Sequence, residues 1–269
     1  MIGIGCGRAG SISNQTPVRE IKRTLAQALD QGINVIDTAN AYGGGDSERI
    51  IGEVVKARPH KAFIVTKIGL EFSGNMKLVA LMKPLLRLAV GNSSGLRRAL
   101  LRKRGRMISH NFEPSNLSAA LEGSLRRLSS APIGGLLLHD PTPAVLANDE
   151  VIGLLAKAKS DGKIRHFGAS VDSPEAIDAA LKVDGLEILQ VGMDLAEKLN
   201  SEAVVKRLAD RPIAIFVRQV LRPNGAAVDQ GPRLPCQAIP AALAIPNVTS
   251  AVIGLSSRKH LEAAIKAVS

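Results

Sequence analysis

An α/β barrel of eight parallel strands is predicted by three observations. Eight short, continuously apolar runs recur along the chain, helical stretches separate most of them, and 269 residues suit one such domain. Strands buried on both faces read as unbroken apolar runs rather than as alternating ones. The first run is IGIGC (2–6). After it, TPVREIKRTLAQALDQG offers Thr16 as N-cap, Pro17 at the first helical position and Gly32 as terminator. INVID (33–37) and AFIVTK (62–67) follow as the second and third strands. Then come IGGLLLH (133–139), IRHFGAS (164–170), LEILQV (186–191), IAIFV (213–217) and TSAVIG (249–254). Residues 113–128, 149–163 and 173–183 carry cap signals and helical periodicity, and SSRKHLEAAIKAV closes the chain as a last amphipathic helix. A doubly wound sheet is the alternative. Nothing after IGIGCG has a dinucleotide-binding spacing with an acidic ribose ligand at the next strand end.

Two units are irregular. Residues 68–112 are far longer than an ordinary strand-to-helix loop and hold a predicted helix, NMKLVALMKPLLRLAV, then a Gly/Ser turn and LRRALLRKRGR. By contrast, 218–248 leaves room only for a short helix around 235–244 before the last strand. The organisation read from the sequence is therefore one domain over 1–269, thickened by a basic helical insertion at about 70–110 and thinned before strand eight.

Charge is concentrated in that insertion. The chain carries +11 net, and the stretch between Phe72 and Phe112 contains nine Lys or Arg and no acidic residue. The rest is close to neutral. The segment reads as a solvated flap, as a lid drawing an anionic or phosphorylated substrate to the strand C-terminal face, or as a surface for an acidic partner, an anionic membrane or nucleic acid. A general nucleic-acid footprint is not expected, because stacking aromatics are scarce: no Trp, one Tyr and five Phe. No 18-residue apolar window and no leader pattern are present, so neither a membrane span nor a signal peptide is expected. Cys6 and Cys236 form no metal-ligand pattern, and a reduced, cytoplasmic chain is the natural reading.

On the C-terminal face the strand ends supply Asp37, Lys67, His139, Ser170, Gln190 and Gly254, and Tyr42 lies in the loop just past strand two. A phenol is a poor acid near neutrality unless a cation stabilises its phenolate. A buried lysine supplies that cation, a carboxylate keeps the lysine charged, and a histidine positions a substrate oxygen or relays its proton. Such a set protonates a carbonyl oxygen as hydride reaches the carbon. Singly, each of these residues reads as readily as a structural one.

The string NVIDTANAYGGGDSERIIGEVV, with FIVTKIG and LLLHDPTP, resembles the aldo-keto reductase family, and the order of strand-end motifs matches along nearly the whole chain. The resemblance implies a catalytic tetrad at Asp37, Tyr42, Lys67 and His139. It implies a nicotinamide cofactor, usually NADPH with NADH as the other option, and a small aldehyde, ketone or sugar as substrate. It also implies that Ser170 and Gln190 bind the carboxamide and that Phe216 stacks on the nicotinamide ring. Gly254, Ser256, Ser257 and Arg258 would hold the phosphates at a turn and helix start, with Lys259 also available to a 2′-phosphate. Ala263 and Ala264 stand where the family often has a Glu-Asn pair contacting adenine, and Val171 follows Ser170 where it commonly has Asn. The second reading is an aldo-keto reductase fold kept for interaction or cofactor sensing, with little turnover.

Overall fold

The computed structural model describes residues 1–11, 14, 16–58, 60–72, 108–129, 133–196, 199, 208, 211–221, 233–254 and 257–268. Eight parallel strands close into a barrel: β1 (Ile2–Gly5), β2 (Val35–Asp37), β3 (Phe63–Ile68), β6 (Ile133–His139), β7 (Ile164–Val171), β8 (Ile188–Gly192), β9 (Ala214–Arg218) and β10 (Val248–Gly254). Around the ring they follow one another in chain order, β10 pairing with β1 to close it. The helices are α1 (Val18–Asp30), α2 (Asp46–Val55), α3 (Pro114–Leu128), α4 (Pro143–Leu146), α5 (Asp149–Ser160), α6 (Pro174–Ala180), α7 (Met193–Ala196), α8 (Pro235–Ala244) and α9 (Arg258–Lys266).

The pleat divides each strand between two cores. Val35, Val65, Leu137, Ile188, Phe216 and Val252 point inward and fill the barrel as an apolar plug. Ile36, Ile64, Leu136, Leu138, Leu189 and Ile215 point outward and meet the helices. Continuing the inward alternation upward from Val35, Val65, Leu137 and Ile188 reaches Asp37, Lys67, His139 and Gln190. The polar residues thus form the layer that caps the plug at the C-terminal end of the barrel.

Two expectations need amendment. Thr16 is not the N-cap of α1: Pro17 occupies that position in extended conformation, and the Thr16 N–H donates to Asn14 Oδ1 at 3.2 Å. Proline at this point needs no capping acceptor of its own and presets the turn into the helix. The ends of the long segment after β3 form an antiparallel hairpin, β4 (Leu70–Phe72) with β5 (Ile108–His110), which the sequence reading passed over. The predicted insertion helix and most of its basic residues fall within 73–107, outside the described residues. The short helix expected at 235–244 is α8.

Helices α2 and α3 meet closely at Gly52. A Cβ there would lie 2.7 Å from the carbonyl oxygens of both Arg127 and Leu128, which are backbone atoms that cannot swing aside. Gly52→Ala should therefore cost about 1–3 kcal/mol through forced separation of the helices. Urea unfolding checks this: an unchanged midpoint would show that the two helices are not held in contact.

Among the described residues no helix is long and apolar enough to cross a membrane, and no cluster of three or more His, Cys, Asp or Glu side chains could hold a metal ion.

Candidate active site

Tyr42 reaches the barrel mouth because the chain beyond β2 stays fastened to β3. The Thr38 N–H donates to Val65 O at 2.8 Å and the Asn40 N–H to Lys67 O at 3.1 Å. Ser47 closes the loop from its far side, its hydroxyl donating to Cys6 O at 3.0 Å and lying 2.8 Å from Thr38 Oγ1. Tyr42 then opens a short helical turn in which Gly43, Gly44 and Gly45 have φ of 61°, 65° and 88°. Three consecutive left-handed residues are accessible only to glycine at low cost. The glycines so reverse the chain directly into α2, leaving the phenol half-buried at the rim.

Lys67 is fully buried, its Nζ 2.6 Å from Asp37 Oδ1 and 2.9 Å from Thr38 O. It lies 5.2 Å from the Tyr42 ring centroid. Burial acts against its charge, but Asp37, negative charge on Tyr42 and the hydrogen bond to Asp37 outweigh it, so its pKa is raised. The lysine is held as a cation beneath the phenol.

His139 meets Tyr42 edge-on, with ring centroids 5.8 Å apart and planes at 85°. Burial, with the charges of Lys67, Arg218 and His110, holds its imidazole well below the usual histidine range. It is therefore neutral at pH 7 and remains so in moderate acid. Its Nδ1 is buried and has no hydrogen-bond partner among the described residues. Because the unfolded chain takes up this proton near pH 6.5 and the folded chain does not, stability falls as pH drops through about 6.5 towards the depressed value. Denaturant midpoints measured at pH 7.5 and 5.5 should show that fall, and His139→Gln should flatten it. An equal slope in both proteins would locate the proton uptake elsewhere.

Behind the lysine a second polar chain runs across the barrel. Ser170 Oγ donates to Gln190 Oε1 at 2.9 Å, and Gln190 Nε2 donates to Asp37 Oδ1 at 2.8 Å, the oxygen that also accepts from Lys67. All four groups are buried. Cys6 lies under them, its thiol pushed up to about 12 by burial and the Asp37 charge against the counter-effect of Lys67. It is an inert packing group rather than a nucleophile.

The other residues singled out from the sequence fall differently. Phe216 is 3% exposed within the apolar plug and presents no free face at the mouth. The inward residue that reaches the rim from β9 is Arg218. Gly254 is exposed at the end of β10, with open space where a Cβ would stand. Ser257 caps α9, its Oγ accepting from the His260 N–H at 3.4 Å. Arg258 is bonded along the helix surface to Glu262 Oε1 at 2.7 Å. Ser256 lies outside the described residues. Ala263 is exposed on α9, whereas Ala264 packs into the core.

Sequence reasoning passed over two rim residues, Arg218 and Asn40. Like His139, each has a buried polar atom without a partner among the described residues, Nε and Oδ1 respectively. The signal for Arg218 was present in the alternation of AIFVR, where residues 214, 216 and 218 share the inward face. Three orphaned polar atoms around one mouth fit a polar ligand entering it. A bare strand end at Gly254 and a capped helix start at Ser257 suit the approach of a phosphate-bearing group. The residues present are compatible with a nicotinamide dinucleotide at the catalytic end.

Comparison with known proteins agrees with this barrel. The family model described as the aldo/keto reductase family matches residues 1–229. Aldo-keto reductase YhdN of Bacillus subtilis is 29% identical over 219 residues, covering 80% of this chain and 56% of its own. The chain thus spans a little over half the length of that curated relative. Among solved structures, the holo form of the aldo-keto reductase AKR11C1 from Bacillus halodurans superposes with a TM-score of 0.73 at 22% identity, over 99% of this chain and 86% of that one. An aldo/keto reductase from Klebsiella pneumoniae, solved in complex with NADP and acetate, gives 0.67 at 20% identity, over 99% and 85% of the two chains. The barrel, its closure and the family match over most of its length together make this chain a member of the aldo/keto reductase family.

Proposed function

We propose that the protein is an NAD(P)H-dependent carbonyl reductase, or in reverse an alcohol or sugar dehydrogenase, acting on a small aldehyde, ketone or sugar. The observation that carries this reading is the buried Lys67–Asp37 pair set under a half-buried phenol, with a neutral imidazole edge-on to it whose Nδ1 has no partner among the described residues. Tyr42 donates the proton to the carbonyl oxygen, or removes it from the alcohol. Lys67 stabilises the phenolate left behind, and Asp37 keeps Lys67 charged. His139, kept neutral, hydrogen-bonds the carbonyl oxygen and orients it towards the phenol without competing as an acid. Gln190 steadies Asp37 through the same oxygen that accepts from Lys67, and Ser170 fixes the Gln190 amide.

When bound, the reduced nicotinamide supplies the hydride. In this reading Ser170, Gln190, Gly254 and Ser257 would hold it. The NADP-bound Klebsiella relative supports NADP(H) as the cofactor. With Arg258 engaged by Glu262 and Ala264 in the core, fewer side chains would be available to an adenosine end, and Phe216, inside the apolar plug, would offer no free face to a nicotinamide ring.

Fluorescence titration with NADPH and NADH, followed by cofactor oxidation with a panel of aldehydes, tests the reading. Saturable binding with turnover is expected. Absence of binding by either dinucleotide at millimolar concentration would overturn it in favour of a non-catalytic interaction module.

A further inference from the structure

Arg218 sits at the top of β9, opposite Gly192 of β8, on the inward face that Phe216 occupies lower down. Its Nη2 donates to the Asp172 carboxylate and, at 3.4 Å, to Val171 O, which tethers the guanidinium to the end of β7. The side chain is 16% exposed and Asp172 48%. Its Nε is buried with no acceptor among the described residues, and its charge acts on both Lys67 and His139. The next residue, Gln219, holds φ at 61°, a strained conformation for a residue with a side chain. Gly192 makes room for it: a Cβ there would lie 2.7 Å from Gln219 Oε1.

A pairing with a half-exposed aspartate contributes little by itself. It does not require the guanidinium to lean over the mouth, to repel two cationic or basic groups, or to bury an N–H without an acceptor. These costs make sense if an anion arrives. Around the same mouth Lys67 is locked in a buried pair with Asp37 and His139 carries no charge, whereas the counter-charge of Arg218 is the half-exposed Asp172, which an arriving anion can share or replace. A guanidinium offers a planar pair of donors that matches a carboxylate.

We propose that Arg218 binds the carboxylate of the substrate, making the reductase one that acts on oxo-acids. The carboxylate docks on Arg218 while the carbonyl oxygen of the same molecule meets Tyr42 and His139. Hydride to the carbonyl carbon and the Tyr42 proton to its oxygen then give the hydroxy acid, with the cofactor oxidised and Tyr42 reprotonated from solvent. This inference rests on the reductase reading for its chemistry but not for its anion site.

The test compares the full-length protein with Arg218→Met and Arg218→Lys. For kinetics the substrates are pyruvate and methylglyoxal, which share a carbon skeleton but differ in charge. The ratio of kcat/KM for pyruvate to that for methylglyoxal should fall roughly 10- to 100-fold in Arg218→Met, chiefly through KM, and less in Arg218→Lys. Any effect of the substitution on His139 touches both substrates and cancels in the ratio. An unchanged ratio would overturn the proposal. So would a loss of NADPH affinity with pyruvate KM unaltered, since the anion would then be a cofactor phosphate.

A second arm reads binding without turnover. Tyr42 is the only tyrosine, so its ring signals in NMR report on the mouth directly. Oxamate should shift them saturably in the parent protein and more weakly by the same factor in Arg218→Met, while neutral oxamide should not. If no carbonyl is reduced yet oxamate binds in this Arg218-dependent way, the reductase reading falls and the anion site stands. If neutral carbonyls are reduced and oxamate ignores Arg218, the anion site falls alone.

Discussion

Tyr42→Phe should lower kcat for carbonyl reduction roughly 100- to 10,000-fold, the range a positioned general acid contributes, while dinucleotide affinity stays within about twofold. The substitution removes one oxygen and nothing else from a half-buried ring. The ring contacts remain: Lys67 Nζ 5.2 Å from its centroid and the His139 ring edge-on at 5.8 Å. What disappears is the phenolic proton. His139 is held neutral by burial and by the charges of Lys67, Arg218 and His110, so it is poorly suited to take over as the acid. Lys67 points its Nζ at Asp37 and Thr38 O and is fully buried. Steady-state kinetics with a small aldehyde, alongside cofactor titration, separates the outcomes. Retention of near-full turnover would place the proton donor elsewhere. Loss of cofactor binding in parallel would make the phenol a binding group instead.

The barrel was legible in the sequence because its strands are buried on both faces and so stand out as apolar runs. Strand limits moved by only a residue or two, as with 186–191 against Ile188–Gly192. The strand-end position of Asp37, Lys67 and His139 could also be read, since each closes an apolar run. Less legible were interactions that join residues distant in sequence. Gln190 bonding Asp37 across 153 positions has no local signature, and neither does the tether between Arg218 and Asp172. Phe216, to which the resemblance gives a stacking role, lies within the plug, and two more residues of alternation put Arg218 at the rim. The hairpin of β4 and β5 was hidden because two three-residue strands far apart in the chain carry too little periodicity to announce a pairing.

Glu48→Ala should destabilise the protein by about 3–5 kcal/mol, the cost of breaking a buried ion pair from one side. Glu48 lies in the stretch GGGDSERIIG that follows Tyr42, and in the fold it is a clamp. Glu48 is fully buried in the first turn of α2, where its Oε1 accepts from Thr66 Oγ1 at 2.6 Å and its Oε2 from Arg127 Nε at 2.6 Å. One carboxylate thus joins α2, β3 and α3. Its alanine variant leaves the Arg127 guanidinium, itself only 23% exposed, without a counter-charge and the Thr66 hydroxyl without an acceptor. Arg127 cannot simply swing away, because its stem lies against Gly45, where a Cβ would come within 2.7 Å of it. For a domain of this size the loss corresponds to a Tm lower by about 6–20 °C. Glu48→Gln should lose less, since an amide oxygen still accepts one of the two bonds. If the alanine variant does not fold, Thr66→Val removes a single donor and should cost about 1 kcal/mol. A Glu48→Ala protein as stable as the parent would show that the clamp holds nothing. The loss also has a catalytic side, because Glu48 is three residues beyond Gly45. A loosened first turn of α2 lets the glycine loop drift, and Tyr42 with it, so kcat of Glu48→Gln should fall even at temperatures where the protein is fully folded.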